Sequence, residues 1–474
     1  MKFNILNILT MKSKFFLIAL SASIILTSCN KDLFKYENGD STISISQIHY
    51  LHASANGTTD VSTDYARLGE TIRLTGTGFV GVKHVYVNGY DTYFNLQYLT
   101  NNSMLVTIDE NTPIEQVNDQ VNNKNWIVLV KENEAIKAKK ALKIRRAAPV
   151  VHDISNSMPQ PNEWITIYGE NLQNVAYVQF PGADISTVYA DGGDNLYSDD
   201  EKGTYVRVKV PANFDTRTAE NNKHQGAIII NADHDGNGVC ETPAYFNYRR
   251  GLLENFEEGS SAFNNSKFDA SECTMTDEAS GNEDGTNDGH YYVMNSNSTY
   301  ISDTTASRRN IYVFEKLEAF NNLPSELDEL YSTDVALQFN VMCPQEWNSG
   351  NIDVVFDINY GNYKMTYAPW VSGKTDDFSK GFAKGSWFTV TMPFSTITDF
   401  QGKTFGEIRK ILASIESPVW GIYFENVDQT NVLNGVSVEF KAKMTTITPY
   451  IDNIRVVPLT VSKDKVYGRD NEYN

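Results

Sequence analysis

Histidine and cysteine are scarce in this 474-residue chain, with seven and four copies, and no two cysteines form a Cys-x-x-Cys pair. Zinc sites need such residues in clusters, so composition offers no transition-metal chemistry. Basic residues are also few: 40 Lys and Arg against 59 Asp and Glu leave a net charge of −19. Phosphate backbones and anionic lipids both select basic faces, which excludes nucleic-acid binding and electrostatic membrane adsorption as primary roles. No G-x-S-x-G, H-E-x-x-H or Gly-rich phosphate loop occurs, and no apolar run reaches the ~20 residues of a membrane helix. Charged residues make up only 21%, yet 41% hydrophobic and 12% aromatic content rules out a wholly disordered chain. The length suits about three domains of roughly 150 residues. Abundant Asn, Thr, Val and Tyr point to short strands and many turns.

The N-terminus carries an address. Lys2, Lys12 and Lys14 precede the apolar stretch Phe15 to Leu26, and no acid appears before Asp32. That is the layout of a signal peptide over residues 1–28, with Met11 as an alternative start. Leu26-Thr27-Ser28-Cys29 resembles the lipobox of bacterial lipoproteins, which implies lipidation of Cys29 and a membrane held by acyl chains. Processing leaves 37 basic residues against 59 acidic ones, a mature balance of −22. Residues 29–40 are polar and read as a tether. Of the mature cysteines beyond the anchor, Cys240, Cys273 and Cys343, at most one pair can form, and buried free thiols are expected.

An internal repeat follows. Arg73-Leu74-Thr75-Gly76-Thr77-Gly78-Phe79 recurs 93 positions later as Thr166-Ile167-Tyr168-Gly169-Glu170-Asn171-Leu172, with Val85 onto Val178 and Gly89 onto Gly182. Later strands match at an offset of 101, so the insertion falls in the Asp/Gly-rich stretch 190–203, where a loop tolerates it. Each copy reads as a small β-sandwich, over residues 41–147 and 148–250. The pattern from Gly69 to Phe79, followed by Val85-Tyr86-Val87-Asn88-Gly89, resembles the IPT/TIG family of immunoglobulin-like domains. The second copy departs from it, with Asn162 for the first glycine and Asn171-Leu172 for Gly-Phe. As tandem copies behind a lipid anchor, such domains imply spacers. Asp233 to Gly238 matches half of a calcium loop, but position twelve is Ala244 and the flanks read as strands, so a hairpin turn is expected.

Residues 251–458 read as one larger β-domain, with 459–474 as a tail. Val335-Leu337-Phe339-Val341, Ile352-Val354-Phe356-Ile358 and Val436-Val438-Phe440-Ala442 alternate at period two, the mark of strands with one buried face. Ile408, Ile411, Leu412 and Ile415 mark one helix. The fold class is therefore all-β: two tandem Ig-like sandwiches followed by a larger jelly-roll-like sandwich. The unit opens Leu252-Leu253-Glu254-Asn255-Phe256-Glu257 and closes Tyr450-Ile451-Asp452-Asn453-Ile454-Arg455-Val456. Many carbohydrate-binding jelly rolls open and close in this way.

With the lipobox and the repeated pair, the order of parts resembles the SGBP-B type of surface glycan-binding protein. That resemblance implies a non-catalytic outer-membrane lipoprotein, exposed at the cell surface. Its implied partners are a polysaccharide, a SusC-like TonB-dependent transporter and a SusD-like protein. The glycan site would lie in the last domain. A pyranose presents an apolar C–H face that stacks on aromatic rings, and its hydroxyls need polar partners. By loop placement and resemblance, Trp347, Tyr363 and Trp370 are the expected stacking platforms, with Tyr367 and Asn362 beside them. Trp387 and Trp420 read as core.

The resemblance also implies a structural calcium on Glu254, Glu257 and Asp452, with Asn282 to Asp288 as a second acidic option; no other cofactor is expected. Glycoside hydrolysis is the rival function, with Asp353, Glu416 and Glu425 as nominal carboxylates whose spacing is not diagnostic. A structural adhesin is the other.

Overall fold

The computed structural model describes residues 42–459, apart from 55–56, 115–124, 191–193, 200, 217–222, 233–237, 257–273, 277–289, 295–308, 315–317, 358–361, 373–383, 416–419 and 434. Cys29, Glu257, Cys273, Asp233 to Asn237, Asn282 to Asp288 and Glu416 lie outside the described residues. The chain divides into two compact units, Met1–Ala147 and Ala148–Asn474.

The first unit is a two-sheet sandwich. One sheet orders Gly57–Ser62, Ser44–Ser54, Thr71–Thr77 and Ser103–Thr107; the other orders Tyr90–Thr92, Val82–Val87, Trp126–Lys131 and Lys137–Ala141. Ile72, Leu74, Val85, Val87, Val106, Ile127 and Leu129 fill the space between them from alternate strand positions. The second copy repeats this plan. Val150–Ile154, Trp164–Glu170, Tyr205–Lys209 and Leu196–Ser198 face Val188–Tyr189, Tyr177–Gln179, Ile229–Asn231 and Val239–Glu241.

The repeated motif has a physical cause. A Cβ on Gly76 would sit 2.0 Å from the Ser44 carbonyl oxygen, and one on Gly169 would sit 2.0 Å from that of Val150. Both contacts lie beside register shifts in the paired first strands. Phe79 and Leu172 then plug their cores, each fully buried. Where the second copy loses glycine, the backbone shape persists: Gly69 and Asn162 have φ of 80° and 69°, and Gly78 and Asn171 have 74° and 57°. Asparagine is the side chain that best tolerates the left-handed region, so these departures conserve conformation.

The second unit continues into the larger sandwich, here called the head. One sheet runs Thr274–Thr276, Tyr291–Val293, Tyr450–Pro458, Val335–Met342 and Phe388–Pro393, with Leu252–Glu254 also on Tyr450–Pro458. The other runs Arg309–Phe314, Trp420–Glu425, Asn351–Asp357 and Asn362–Tyr367. The opening and closing strands pair with one another, which closes the sheet on the domain's two ends. The helix forms at Phe405–Ala413 behind a capping box of Thr404 and Glu407, and Ile408 and Leu412 face the core. Trp387 and Trp420 are core, as is the face shared by Trp420, Ile422 and Phe424.

One expectation is corrected here. Strand Val335–Met342 alternates in sequence but is buried on both faces. Leu337, Phe339 and Val341 enter the head core. Gln338 and Asn340 meet the second Ig-like sandwich: Ser157 donates its hydroxyl to Gln338 Oε1 at 3.3 Å, and Asn340 Nδ2 donates to Asn156 Oδ1 at 3.4 Å. Ser157 N–H donates to Thr389 Oγ1 at 3.2 Å, and Tyr245 N–H to the Pro458 carbonyl at 3.1 Å. Arg455 is fully buried in the same contact, donating to Gln338 Oε1 and Asn340 Oδ1 at 3.1 Å and to the Ser157 hydroxyl. The second sandwich and the head thus share a buried polar junction. Cys240 and Cys343 are buried free thiols, each raised by burial, to about 12 and about 11.

Candidate functional site

The expected aromatic platforms divide between core and margin. Trp347 is fully buried, its indole N–H donates to the Gly350 carbonyl at 2.8 Å, and its ring meets Tyr367 edge-on at 5.6 Å. This corrects the expectation of an open stacking ring. The loop is pinned inward from both ends. Gly350, with φ of 83°, lies so close to Phe424 that a Cβ would fall 2.1 Å from the ring. Ser349 Oγ bonds Asn426 Oδ1 at 2.7 Å and accepts the Lys443 N–H at 2.8 Å.

Tyr363 and Tyr367 share a face, as their spacing requires, and that face is the inner one, because Met365 between them is buried. Tyr363, with φ of 53°, stacks on Phe400 at 5.1 Å. Tyr367 packs on Trp347 and Phe339, and burial pushes its hydroxyl well above the usual tyrosine range. Both tyrosines are half-buried supports of the sheet rather than an open platform. Asn362 points the other way, is exposed, and donates to Asp357 Oδ2 at 2.8 Å.

Trp370 is buried too, as a member of the head's hydrophobic core, which corrects the expectation of an open stacking ring. It sits on the short helix Pro369–Ser372, 7% exposed, with Phe440 edge-on at 6.2 Å. Phe440 belongs to the hairpin Gln429–Leu433 and Val436–Phe440, which leaves the head sheet after Trp420–Glu425. The Trp370 indole N–H is buried and has no hydrogen-bond partner among the described residues. An unmet donor costs about 1–3 kcal/mol, so this indole is poised for an acceptor.

Beside Trp370 and Phe440, a largely buried polar network lies on the face of the four-stranded sheet turned away from the core. Phe440 pairs with Gln429, and Gln429 Nε2 donates to Asn351 Oδ1 at 3.1 Å. Asn351 Nδ2 donates to Asp353 Oδ2 at 2.7 Å, and Thr366 Oγ1 donates to Asp353 Oδ1 at 2.5 Å. Lys364 Nζ lies 3.6 Å from Asp353 and 3.5 Å from Glu425. Burial raises the Asp353 carboxyl to about 7; Lys364 and Thr366 oppose the rise, and the adjacent Glu425 carboxyl adds to it. Asp357 Oδ1, one pleat along, is buried without a hydrogen-bond partner among the described residues. Lys364, Thr366 and Asn362 are the exposed rim of this network.

Sequence reasoning nominated Asp353 and Glu425 only as unplaced acids, and it did not single out Lys364, Thr366 or Asn351. Their union depends on the antiparallel register of three strands, in which Asp353 pairs with Thr366 and Asn351 with Glu425. Asn351 and Thr366 carry no local signal of it.

The expected calcium ligands are engaged in the fold itself. Glu254 Oε1 accepts the N–H groups of Asn255 and Phe256 at 3.0 and 2.8 Å. Asp452 accepts the Asn453 N–H and Nδ2 at 2.7 and 2.9 Å. Among the described residues no group of three His, Cys, Asp or Glu is arranged to hold a metal.

Comparison with known proteins gives the domain a family. Residues 246–458 match the model described as the surface glycan-binding protein B xyloglucan binding domain. No curated protein sequence matches. Among solved structures, the chain is similar to the surface glycan-binding protein PbSGBP-B of Prevotella bryantii, at 16% identity and a TM-score of 0.51, covering 88% of this chain and 99% of that one. It also aligns with an SGBP-B from a complex xyloglucan utilization locus in Bacteroides uniformis, at 15% identity and a TM-score of 0.41, over 88% of this chain and 100% of that one. The first likeness establishes a shared fold of Ig-like and larger β-sandwiches. Over residues 246–458, then, the chain carries a domain similar to the glycan-binding domain of the surface glycan-binding protein B family.

Proposed function

We propose that the head captures a polysaccharide without cleaving it, at the outer face of its four-stranded sheet beside Trp370. The match of residues 246–458 to a family described as xyloglucan-binding carries this reading. The chemistry of the face supports it. Sugar hydroxyls pair with amides, hydroxyls and an ammonium such as those of the exposed rim, Asn362, Thr366 and Lys364, which the buried Asp353 and Asp357 hold in place. The unmet Trp370 N–H and Asp357 Oδ1 are then satisfied by ligand hydroxyls.

The carboxylates argue against hydrolysis. Asp353 and Glu425 share the Lys364 ammonium, at 3.6 and 3.5 Å, and Asp353 is fully buried beneath Thr366 and Asn351. A glycosidase needs two carboxyls open to the anomeric carbon between them. A fully buried Asp353 does not offer that access.

Lipidation of Cys29 would hold the protein on the outer membrane facing outward, with the Ig-like sandwiches of the IPT/TIG type as spacers. Captured glycan would pass to a SusC-like transporter and its SusD-like partner. The structural calcium, if it exists, would need Glu257 in addition to Glu254 and Asp452. Affinity electrophoresis of the full chain against xyloglucan, mixed-linkage glucan, mannans and host glycans tests the central claim. Retarded migration on at least one neutral glycan, abolished by Trp370→Ala, is the expected result; unchanged migration on every glycan sinks it.

A further inference from the structure

The second Ig-like sandwich carries its own partly exposed aromatic surface. In strand Trp164–Glu170, Ile165 and Ile167 enter the sandwich core, which turns Trp164, Thr166 and Tyr168 to the opposite face. In Tyr205–Lys209, Val206 and Val208 enter the core, which turns Tyr205, Arg207 and Lys209 outward beside them. The neighbouring strand adds Tyr197, which is paired with Arg207 and 51% exposed. Trp164 and Tyr197 bring their rings to 5.6 Å with planes tilted 35°. The Arg207 guanidinium lies 5.6 Å from the Trp164 ring, and Lys209 is the cross-strand partner of Trp164.

This face is not isolated from the head. Its far end, Tyr168, is part of the head's hydrophobic core, and Tyr205 packs against that core. The half-buried end at Trp164 is four residues along the same strand, about 13 Å at the usual strand rise. The surface is therefore one continuous sheet face, clad by the head at one end and partly open at the other, where Tyr197 is exposed.

We propose that the Trp164–Tyr197 face is a second glycan-contact surface, which takes a further segment of a neutral polysaccharide chain whose first segment is held by the head. The proposal rests on the glycan-binding reading of the head. Two adjacent tilted rings suit the apolar faces of consecutive sugars in an extended chain, and the flanking guanidinium and ammonium donate to their hydroxyls. The polar junction with the head holds the two surfaces in one body. A long chain that touches both gains avidity that a short oligosaccharide lacks.

The test is calorimetric titration of the full chain with xyloglucan polymer and mixed-linkage glucan polymer, and with a heptasaccharide of each. Variants are Trp164→Ala with Tyr197→Ala, Tyr197→Ala alone, and Trp370→Ala in the head. Tyr197→Ala removes a half-exposed ring, and an unchanged melting temperature establishes that the fold is kept. The expected result is polymer binding weakened by about tenfold in the double variant, roughly one stacked ring, with heptasaccharide binding unchanged within about twofold. Polymer binding unchanged in the double variant but lost in Trp370→Ala overturns this surface and leaves the head reading intact. Equal weakening on polymer and heptasaccharide also overturns it, because the rings then act through the head. Absence of binding by the unmodified chain to every polymer overturns both readings.

Discussion

Arg455, on the last strand of the head, donates its guanidinium to the hydroxyl of Ser157 in the preceding sandwich. The same group bonds Gln338 and Asn340 of the adjacent head strand, so one buried cation organises polar side chains from two domains. Arg455→Met should therefore lower stability by about 3 kcal/mol, because two buried amide oxygens lose their donor. Ser157→Ala, which removes one neutral partner, should cost only about 1 kcal/mol. Urea denaturation followed by tryptophan fluorescence measures both. A loss from Arg455→Met no larger than that from Ser157→Ala would remove Arg455 from the centre of the junction.

Trp347 and Trp370 should separate by phenotype. Trp347→Ala empties a fully buried site and should destabilise the head by about 3–5 kcal/mol. Trp347→Phe, which keeps most of the volume, should retain glycan binding. Trp370→Ala should cost less stability and abolish retardation on the glycan that the unmodified chain binds. Thermal melting alongside affinity electrophoresis distinguishes the two, and loss of binding in Trp347→Phe at unchanged melting temperature would restore that ring to the site.

The Asp353 carboxyl is raised to about 7, mainly by burial, against an unfolded value near 4. The folded state then holds the proton more tightly than the unfolded one. Its contribution to stability is complete below pH ~4 and is lost as pH rises through about 7. Asp353→Asn keeps an acceptor for Asn351 and removes the buried charge. Its melting temperature should exceed that of the unmodified chain at pH 8 and fall to equality near pH 4. A variant less stable at pH 8 would mean that the Lys364 ion pair outweighs burial.

Glycine substitutions test the repeat. Gly76→Ala and Gly169→Ala place a methyl against a backbone carbonyl and should each destabilise their own sandwich by more than about 2 kcal/mol. Gly69→Asn copies the residue that the second sandwich uses at φ of 69° and meets open space, so it should cost under about 1 kcal/mol. Circular-dichroism melts of the four chains give the comparison. Equal losses at Gly69 and Gly76 would contradict the steric account.

Much of the fold was legible because its causes are local. The spacing of Ile352, Val354 and Phe356 shows which side chains enter a core, and the repeat of Gly76 and Phe79 at Gly169 and Leu172 shows two sandwiches of one plan. Period two is symmetric, however, and it does not say what covers the other face. Hence Gln338 and Asn340 read as solvent-facing, although a second domain buries them. The same symmetry made Tyr363 and Tyr367 look like a platform when Met365 fixes their face inward. For the site, Trp370 stood out by its neighbouring proline, whereas Asp353 joins Thr366, Lys364 and Glu425 only through strand register. Trp347 misled for a related reason: a loop flanked by Pro344 and Gly350 suggests exposure, but the tight approach of Gly350 to Phe424 folds it under.

The double-sided burial of strand Val335–Met342 bears on how such proteins are reshuffled during evolution. A head severed after residue 250 would leave Gln338, Asn340 and the Arg455 guanidinium facing water, beside apolar neighbours shaped for Tyr168 and Ala244. The exchangeable module is accordingly the pair of domains from Ala148 onward, and recombination that swaps ligand specificity should carry the second sandwich along as a passenger.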